Sequence, residues 1–220
     1  MAERAGAAAA PRSLRRFLEP RSHRRTGEVC ELCGAPLADK HSHVASVESR
    51  SLLCACRPCY LLFTLEGAAR GKFRAVPERY VFASGLVMAE RHWDGLQIPV
   101  DIAFFFFNSS IGRTVAFYPS PAGATQSQLP LETWDELVKE NPVLAGLAAD
   151  VEALLVSKGR DGFECYVVPI DACYELVGLI RRYWKGFDGG EEAWRAMHGF
   201  FTGLRERCGE ASGGSTSWPS

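Results

Sequence analysis

The sequence has no apolar segment of the roughly 20 residues that a membrane-spanning helix needs. Its first residues, MAERAGAAAAPRSLRRF, also lack the uninterrupted apolar core of a secretory signal peptide. The G-x-S-x-G, P-loop and G-x-G-x-x-G motifs are absent, so serine hydrolases, P-loop nucleotide hydrolases and dinucleotide-binding enzymes have no motif support. We therefore expect a cytoplasmic protein without membrane insertion.

A large charge excess is also missing, because the formal net charge of the 220-residue chain is -1. The basic residues are nevertheless unevenly placed: residues 1–28 contain seven arginines and three glutamates, a local excess of +4. Without a basic field over the whole molecule, we expect no specific binding to nucleic acid. A nucleic-acid-binding zinc-ribbon protein that uses this Arg-rich segment is the alternative.

Cysteine is plentiful, with eight in the chain and five of them between positions 30 and 59. CELCG and CRPC each contain the Cys-x-x-Cys spacing that turns two thiolates towards one ion. Two such pairs complete a tetrahedron, which predicts a metal site formed by Cys30, Cys33, Cys56 and Cys59. We favour zinc. Iron is the alternative, in a rubredoxin-like or Fe–S electron-transfer protein, because the same four thiolates bind both metals.

Three further residues of metal-binding type lie inside this cysteine-rich segment: His41, His43 and Cys54. In one interpretation, Cys54 is a small buried side chain on the strand before CRPC, and the histidines form a solvated hairpin turn. In the other, the three residues make additional, labile metal contacts beside the four-cysteine site, because imidazole and thiolate suit zinc, nickel, copper and iron.

Composition divides the chain into five segments. They are a flexible Arg-rich arm (1–27, with an organelle transit peptide as the alternative), a four-cysteine module (28–66), a connector (67–79), a larger domain (80–208) and a disordered tail rich in glycine and serine (209–220). The apolar run after Cys59 predicts a short helix there, as in treble-clef and zinc-ribbon modules.

Within the larger domain, DIAFFFFNSS and GRTVAFYPSP predict two strands joined by a hairpin, and GFECYVVPI predicts a further strand. LVMAERHWDGL, LETWDELVKEN and PVLAGLAADVEALLVSKG predict three helices, the last ending at Gly159. Strands mixed with helices indicate an α+β domain with an antiparallel sheet that follows the small metal-binding module.

Two helices are predicted at the C-terminal end of this domain. The first would be capped by Asp171, and its apolar face would include Cys173 and Trp184. The second, over residues 190–208, would place Trp194 on its apolar face. Cys173 fits a core position better than a nucleophile, and no nucleophile can be paired with a base from the sequence. Enzymatic activity is left open, and a non-catalytic protein is favoured.

Five segments together resemble one protein family: CELCGAPL, LLCACRPCYLLF, QIPVDIAFFFFNSS, VAFYPSPAGATQSQL and ECYVVPIDACYELVGLIRRYWKGFDGG. They cover roughly residues 28–208 and are similar to DUF5947, a largely actinobacterial family of unknown function. Its members are often encoded beside uptake [NiFe]-hydrogenase genes and their maturation factors. The resemblance implies an accessory protein for hydrogenase assembly, whose partner would be a hydrogenase subunit or a maturation factor. It implies no catalytic residue.

Overall fold

A computed structural model describes residues 27–65 and 67–212. The segment predicted as a flexible arm lies outside these residues except for residue 27, and the segment predicted as a disordered tail lies outside them from residue 213 onwards. The described chain contains a three-stranded and a six-stranded sheet, and every strand pair in both is antiparallel. Within the described residues, five α-helices and two short 3-10 helices accompany the sheets. The predicted α+β class with an antiparallel sheet is confirmed.

The smaller sheet belongs to the cysteine-rich segment. It has the strand order β2-β1-β3, with β1 at Ser42–Ser46, β2 at Ser51–Ala55 and β3 at Phe73–Ala75. Helix α1 (Arg57–Leu61) follows β2 directly, and a 3-10 helix at Ala68–Gly71 precedes β3. The sheet and α1 enclose a small apolar core whose buried members are Val44, Ala55 and Tyr60.

The larger sheet has the order β4-β9-β8-β5-β6-β7. Its strands are β4 (Val81–Phe82), β5 (Ile102–Asn108), β6 (Arg113–Ser120), β7 (Gly123–Ser127), β8 (Glu152–Gly159) and β9 (Gly162–Pro169). Its helices are α2 (Glu90–Leu96), α3 (Leu131–Glu140), α4 (Ile170–Tyr183) and α5 (Gly190–Ser212), with a 3-10 helix at Pro142–Gly146.

Both faces of the larger sheet are covered, and this explains why three successive phenylalanines of β5, Phe104–Phe106, are buried, whereas Phe107 is exposed. Successive side chains of a strand point to opposite faces. Phe104 accordingly packs in the core beneath α4 and α5, whereas Phe105 packs in the core with α2 and α3. A central strand buried on both sides is apolar at successive positions, without the alternation of a half-exposed strand.

The smaller sheet is packed against the larger domain. Ala45 of β1 and Val76, just after β3, belong to the same buried cluster as Phe104. The Arg74 guanidinium of β3 lies 3.5 Å from a carboxylate oxygen of Asp150, which precedes β8. The four-cysteine segment therefore shares core contacts with the six-stranded sheet.

The sequence-based prediction of a helix over PVLAGLAADVEALLVSKG is wrong, because only a 3-10 helix at Pro142–Gly146 and strand β8 occupy this segment. The reason lies in β8, whose neighbouring Leu154 and Leu155 pair with Phe105 and Phe104 and are buried on opposite faces. Because both faces of β8 are buried, its sequence lacks the alternation of apolar and polar residues that is typical of a half-exposed strand. A continuous apolar run of this kind fits a helix equally well.

Two details of the C-terminal helices also differ from the predictions. Asp171 does not cap α4, which begins at Ile170 with Pro169 at the N-cap position, so Asp171 lies in the first turn. Trp194 does not face the core: it is 58% exposed, whereas Phe201 of the same helix is 7% exposed. Helix α5 also continues to Ser212, four residues into the segment predicted as a tail.

Candidate metal centre

The first cysteine pair lies in a tight turn before β1. The Gly34 amide donates to the Cys30 carbonyl at 2.7 Å, and the Cys30 amide donates to the Ala35 carbonyl at 2.8 Å. Gly34 has a φ of +76°, in the left-handed region where glycine carries no steric penalty. This conformation closes the turn so that Cys30 and Cys33 point the same way.

The second pair lies where β2 ends and α1 begins. Cys56 is the N-cap residue of α1, with Pro58 in the first turn, where its missing amide hydrogen is not needed. The Tyr60 amide donates to the Cys56 carbonyl at 2.9 Å and completes the turn containing Cys59. The predicted helix after the second pair is therefore present, although it has only five residues.

The two turns bring the four predicted cysteines together. Their Sγ atoms all lie within 4.8 Å of one another, and the Sγ atoms of Cys33 and Cys56 are 3.6 Å apart. Zinc–sulfur bonds of about 2.3 Å in a tetrahedron place the sulfurs about 3.8 Å apart. The cluster therefore fits a tetrahedral metal ion, in a zinc-ribbon-like module as predicted. Iron and zinc share this ligand geometry, so the distances do not select between them.

The thiols of the cluster differ in acidity. Burial raises the pKa of Cys30, but hydrogen bonds from the backbone amides of Cys56, Cys33 and Leu32 outweigh it and lower this pKa to about 6. Hydrogen bonds with the Cys33 and Cys56 side chains raise the pKa of Cys59 to about 12. Crowded thiolates repel one another, and a bound cation would remove this repulsion.

A second group lies beside the first: His41, His43 and Cys54 place their candidate ligand atoms within 4.8 Å of one another. His43 on β1 is directly opposite Cys54 on β2, and the His41 and His43 ring centroids are 4.9 Å apart. The hairpin turn lies at residues 47–50 and contains neither histidine, so the interpretation of a solvated hairpin turn is wrong.

Both histidines have fixed hydrogen-bond partners. His41 Nδ1 lies 3.0 Å from the carbonyl oxygen of Ala38, and His43 Nδ1 lies 2.8 Å from Asp171 Oδ2. The latter contact connects the cysteine-rich segment to the first turn of α4. Asp171 as a partner of His43 was missed by sequence reasoning, because the two residues are 128 positions apart and no local pattern relates them.

The acidity of Cys54 depends on burial and on acidic neighbours. Burial raises the pKa of the Cys54 thiol, and the negative charges of Glu31 and Glu28 raise it further. Glu31 also accepts a hydrogen bond of 2.6 Å from the Cys54 amide. The edge of this cluster therefore carries two carboxylates, which favour cations.

The cysteines outside the two clusters are buried in the larger domain. Burial raises the pKa of Cys173 well above its ordinary value and that of Cys165 to about 12. Cys208 is buried as well, and its pKa is raised for the same reason. A thiol that stays protonated at neutral pH is a poor nucleophile, so Cys173 is a core residue in this fold.

A cavity of about 670 Å³ lies between the β1–β2 hairpin and the larger sheet. Phe106, Phe117 and Tyr174 provide apolar surface, and Arg50, Arg113 and Asp150 provide charge. Sequence patterns do not predict this cavity, because its walls come from both sheets and from α4.

Within residues 27–65 and 67–212, no helix combines the length and the hydropathy required to cross a bilayer. Comparison with curated proteins and with solved structures gives no significant match. A family model described as "Family of unknown function (DUF5947)" matches residues 29–208, which include both side-chain clusters and both sheets. The chain therefore belongs to the DUF5947 family.

Proposed function

We propose that this protein binds one structural zinc ion through Cys30, Cys33, Cys56 and Cys59 and acts as a non-catalytic accessory protein. The observation that carries the proposal is the convergence of the four Sγ atoms within 4.8 Å. Four protein thiolates fill every position of a tetrahedral ion, and such closed sites stabilise folds instead of activating water.

Zinc is favoured over iron because the surrounding module needs a structural ion. Among the described residues, its own core has three buried apolar side chains with five partly buried ones packed against them, and segments shorter than about 40 residues usually need a metal or a disulfide to fold. Iron in the same four thiolates would instead make an electron-transfer centre, and the geometry accommodates it equally well. The two metals differ in absorption, since thiolate-bound iron is coloured and zinc is not.

We further propose that the accessory role serves [NiFe]-hydrogenase assembly or maturation in the cytoplasm, with a hydrogenase subunit or maturation factor as the partner. This part rests on the resemblance to DUF5947 and on the genes that often neighbour members of that family. A surface suited to a partner lies next to the second cysteine pair, where Leu61, Leu62 and Leu65 are exposed. Clustered exposed leucines are typical of protein-binding surfaces.

A gene-replacement experiment in the organism that encodes the protein tests this role. We expect loss of the protein to reduce hydrogenase activity without changing the amount of hydrogenase transcript. The Leu61→Ser/Leu62→Ser/Leu65→Ser variant should fail to restore activity and should lose the hydrogenase component that co-purifies with the parent protein. As a matched control, His198→Ala alters an exposed residue of α5 and should restore activity fully. Normal hydrogenase activity in the deletion strain would contradict the proposal.

A further inference from the structure

We propose that His41, His43 and Cys54 form a second metal site, which holds a divalent first-row transition ion through three protein ligands and leaves one coordination position open. The site shares no ligand with the four-cysteine cluster, so the proposal does not depend on which metal occupies that cluster. Four observations carry it: proximity, tautomer, an unpartnered nitrogen and the position of Asp171.

Proximity is provided by the antiparallel pairing of β1 and β2. His43 and Cys54 are directly opposite each other, and the three candidate ligand atoms lie within 4.8 Å. Bonds of about 2.0–2.3 Å to nitrogen and sulfur in a tetrahedron would place these atoms about 3.3–3.8 Å apart. The observed separations therefore exceed those around a bound ion by at most about 1.5 Å.

The tautomer of each imidazole follows from its partner. The Ala38 carbonyl and the Asp171 carboxylate are acceptors, so the Nδ1 atoms of His41 and His43 must both donate. In the neutral imidazole, a protonated Nδ1 leaves the lone pair on Nε2. Both histidines are therefore held with Nε2 ready to bind a cation.

The third observation is the environment of the His41 Nε2 atom. This atom is buried without a hydrogen-bond partner among the described residues, and the His41 side chain is only 9% exposed. A buried polar atom without a partner is costly, and such an atom in a native structure calls for an explanation such as an ion. A metal ion bound by His41, His43 and Cys54 satisfies this nitrogen.

Asp171 completes the arrangement as a positioning residue. Histidines that bind metals usually donate their other N–H to a carboxylate or a backbone carbonyl, which fixes the ring and makes the ligand more basic. His43 has the carboxylate and His41 has the carbonyl. Among the described residues, the other carboxylate oxygen of Asp171, Oδ1, is buried without a hydrogen-bond partner, while Oδ2 accepts the hydrogen bond from His43.

Two imidazoles and one thiolate define the class of ion. This mixed set of nitrogen and sulfur ligands suits zinc, cobalt, nickel or copper and disfavours magnesium and calcium, which require oxygen. Three protein ligands with an open position are typical of sites that exchange their ion or bind an external ligand. A site of this kind would let the protein hold a metal reversibly beside a permanent structural ion.

Cobalt(II) is a suitable probe, because its bond to a thiolate absorbs light and tetrahedral cobalt(II) is coloured. The full-length protein, loaded with one equivalent of zinc, is titrated with cobalt(II), and zinc release is followed by elemental analysis. We expect one further equivalent to bind with a thiolate-to-cobalt band while the zinc stays bound. The imidazole ¹⁵N resonances of His41 and His43 should shift at Nε2.

The variants separate metal binding from folding. His41→Asn and His43→Asn place an amide donor near the original Nδ1 but lack Nε2, so both should fold and lose the second equivalent. Cys54→Ser should lose the thiolate band. Asp171→Asn should keep the same spectrum with about 10- to 100-fold weaker affinity, the effect expected for the partner of a ligating histidine. Asp161→Asn and His198→Ala, which alter exposed residues, are the matched controls and should bind cobalt(II) as the parent does.

Two outcomes would overturn the proposal: a parent protein that binds no second equivalent, or a second equivalent that persists in His41→Asn and in Cys54→Ser. Neither outcome concerns the four-cysteine site. Failure there would instead appear as a missing first equivalent of metal, so the two proposals fail independently.

Discussion

Removal of metal from the four-cysteine site should unfold the cysteine-rich segment while leaving the six-stranded sheet intact. The buried apolar core of this segment consists of Val44, Ala55 and Tyr60. Burial of one apolar side chain contributes about 1.5–3 kcal/mol, whereas ordering the backbone of each residue costs about 1–2 kcal/mol. These three side chains, the partly buried ones around them and the contact of Ala45 with the larger core offset only part of that cost for residues 28–66. A structural zinc typically contributes about 10–16 kcal/mol and supplies what is missing.

Amide hydrogen exchange measures this loss region by region. Each 1.4 kcal/mol of lost local stability raises the exchange rate about tenfold. We therefore expect amides of β1, β2 and α1 to exchange at least about 100-fold faster after complete chelation, and their protection to return when zinc is restored. Amides of β5 and β8, at the centre of the larger sheet, should stay protected. If β1 and β2 keep their protection after elemental analysis shows no residual metal, the reasoning about the small core is wrong.

Further predictions concern the larger domain. Phe201→Ala should lower the free energy of unfolding by about 3–5 kcal/mol, because the Phe201 ring is buried. Trp194→Ala should lower it by less than about 1.5 kcal/mol, because the exposed indole contributes mainly one hydrogen bond to the Asp188 carbonyl. Equal losses for the two variants in chemical denaturation would contradict the assigned burial. The raised pKa keeps the Cys173 thiol protonated at pH 8, so iodoacetamide should modify it only after denaturation. Mass spectrometry of the digested protein measures this modification, and rapid labelling of the native protein would contradict the prediction. Glu152→Ala should lower the free energy of unfolding by about 1–3 kcal/mol, because the buried carboxylate accepts hydrogen bonds from the partly exposed Arg79 guanidinium and from the Ala148 amide; a stability within about 0.5 kcal/mol of the parent would oppose this.

The four-cysteine cluster could be predicted from the sequence because its determinants are local. Each Cys-x-x-Cys pair lies within one turn, and Gly34 and Pro58 mark the backbone conformations that these turns require. The β5–β6 hairpin was predicted for the same reason, since its strands are joined by the short turn after Asn108. Structural features that depend on a few neighbouring residues can therefore be predicted from the sequence.

Features that depend on distant packing could not be predicted. Strand β8 was mistaken for a helix because only its position between β5 and β9, with both faces covered, explains its apolar residues. Trp194 was misplaced by one position: the buried face of α5 includes the adjacent Ala193, and neighbouring residues on a helix are about 100° apart. The periodicity of apolar residues predicts the spacing of the buried positions on a helix. It does not show whether a large aromatic residue at the edge of the apolar face is buried or exposed.

The cluster of His41, His43 and Cys54 could be predicted only in part. The sequence placed His41, His43 and Cys54 in one segment, and the pairing of β1 with β2 joins two of them directly. The contact between His43 and Asp171 depends on how the smaller sheet packs against α4, which no local pattern encodes. The sequence could therefore suggest the ligands but not the carboxylate that orients one of them.

The most direct test of the central claim is elemental analysis combined with an absorption spectrum of full-length protein purified without oxygen. We predict about one zinc held per chain after extensive dialysis, no visible absorption, and loss of this zinc in a Cys30→Ser/Cys33→Ser variant but not in Cys165→Ala, which alters a buried cysteine outside the cluster. Iron as the dominant metal, with visible thiolate-to-iron bands, would contradict the claim of a structural zinc.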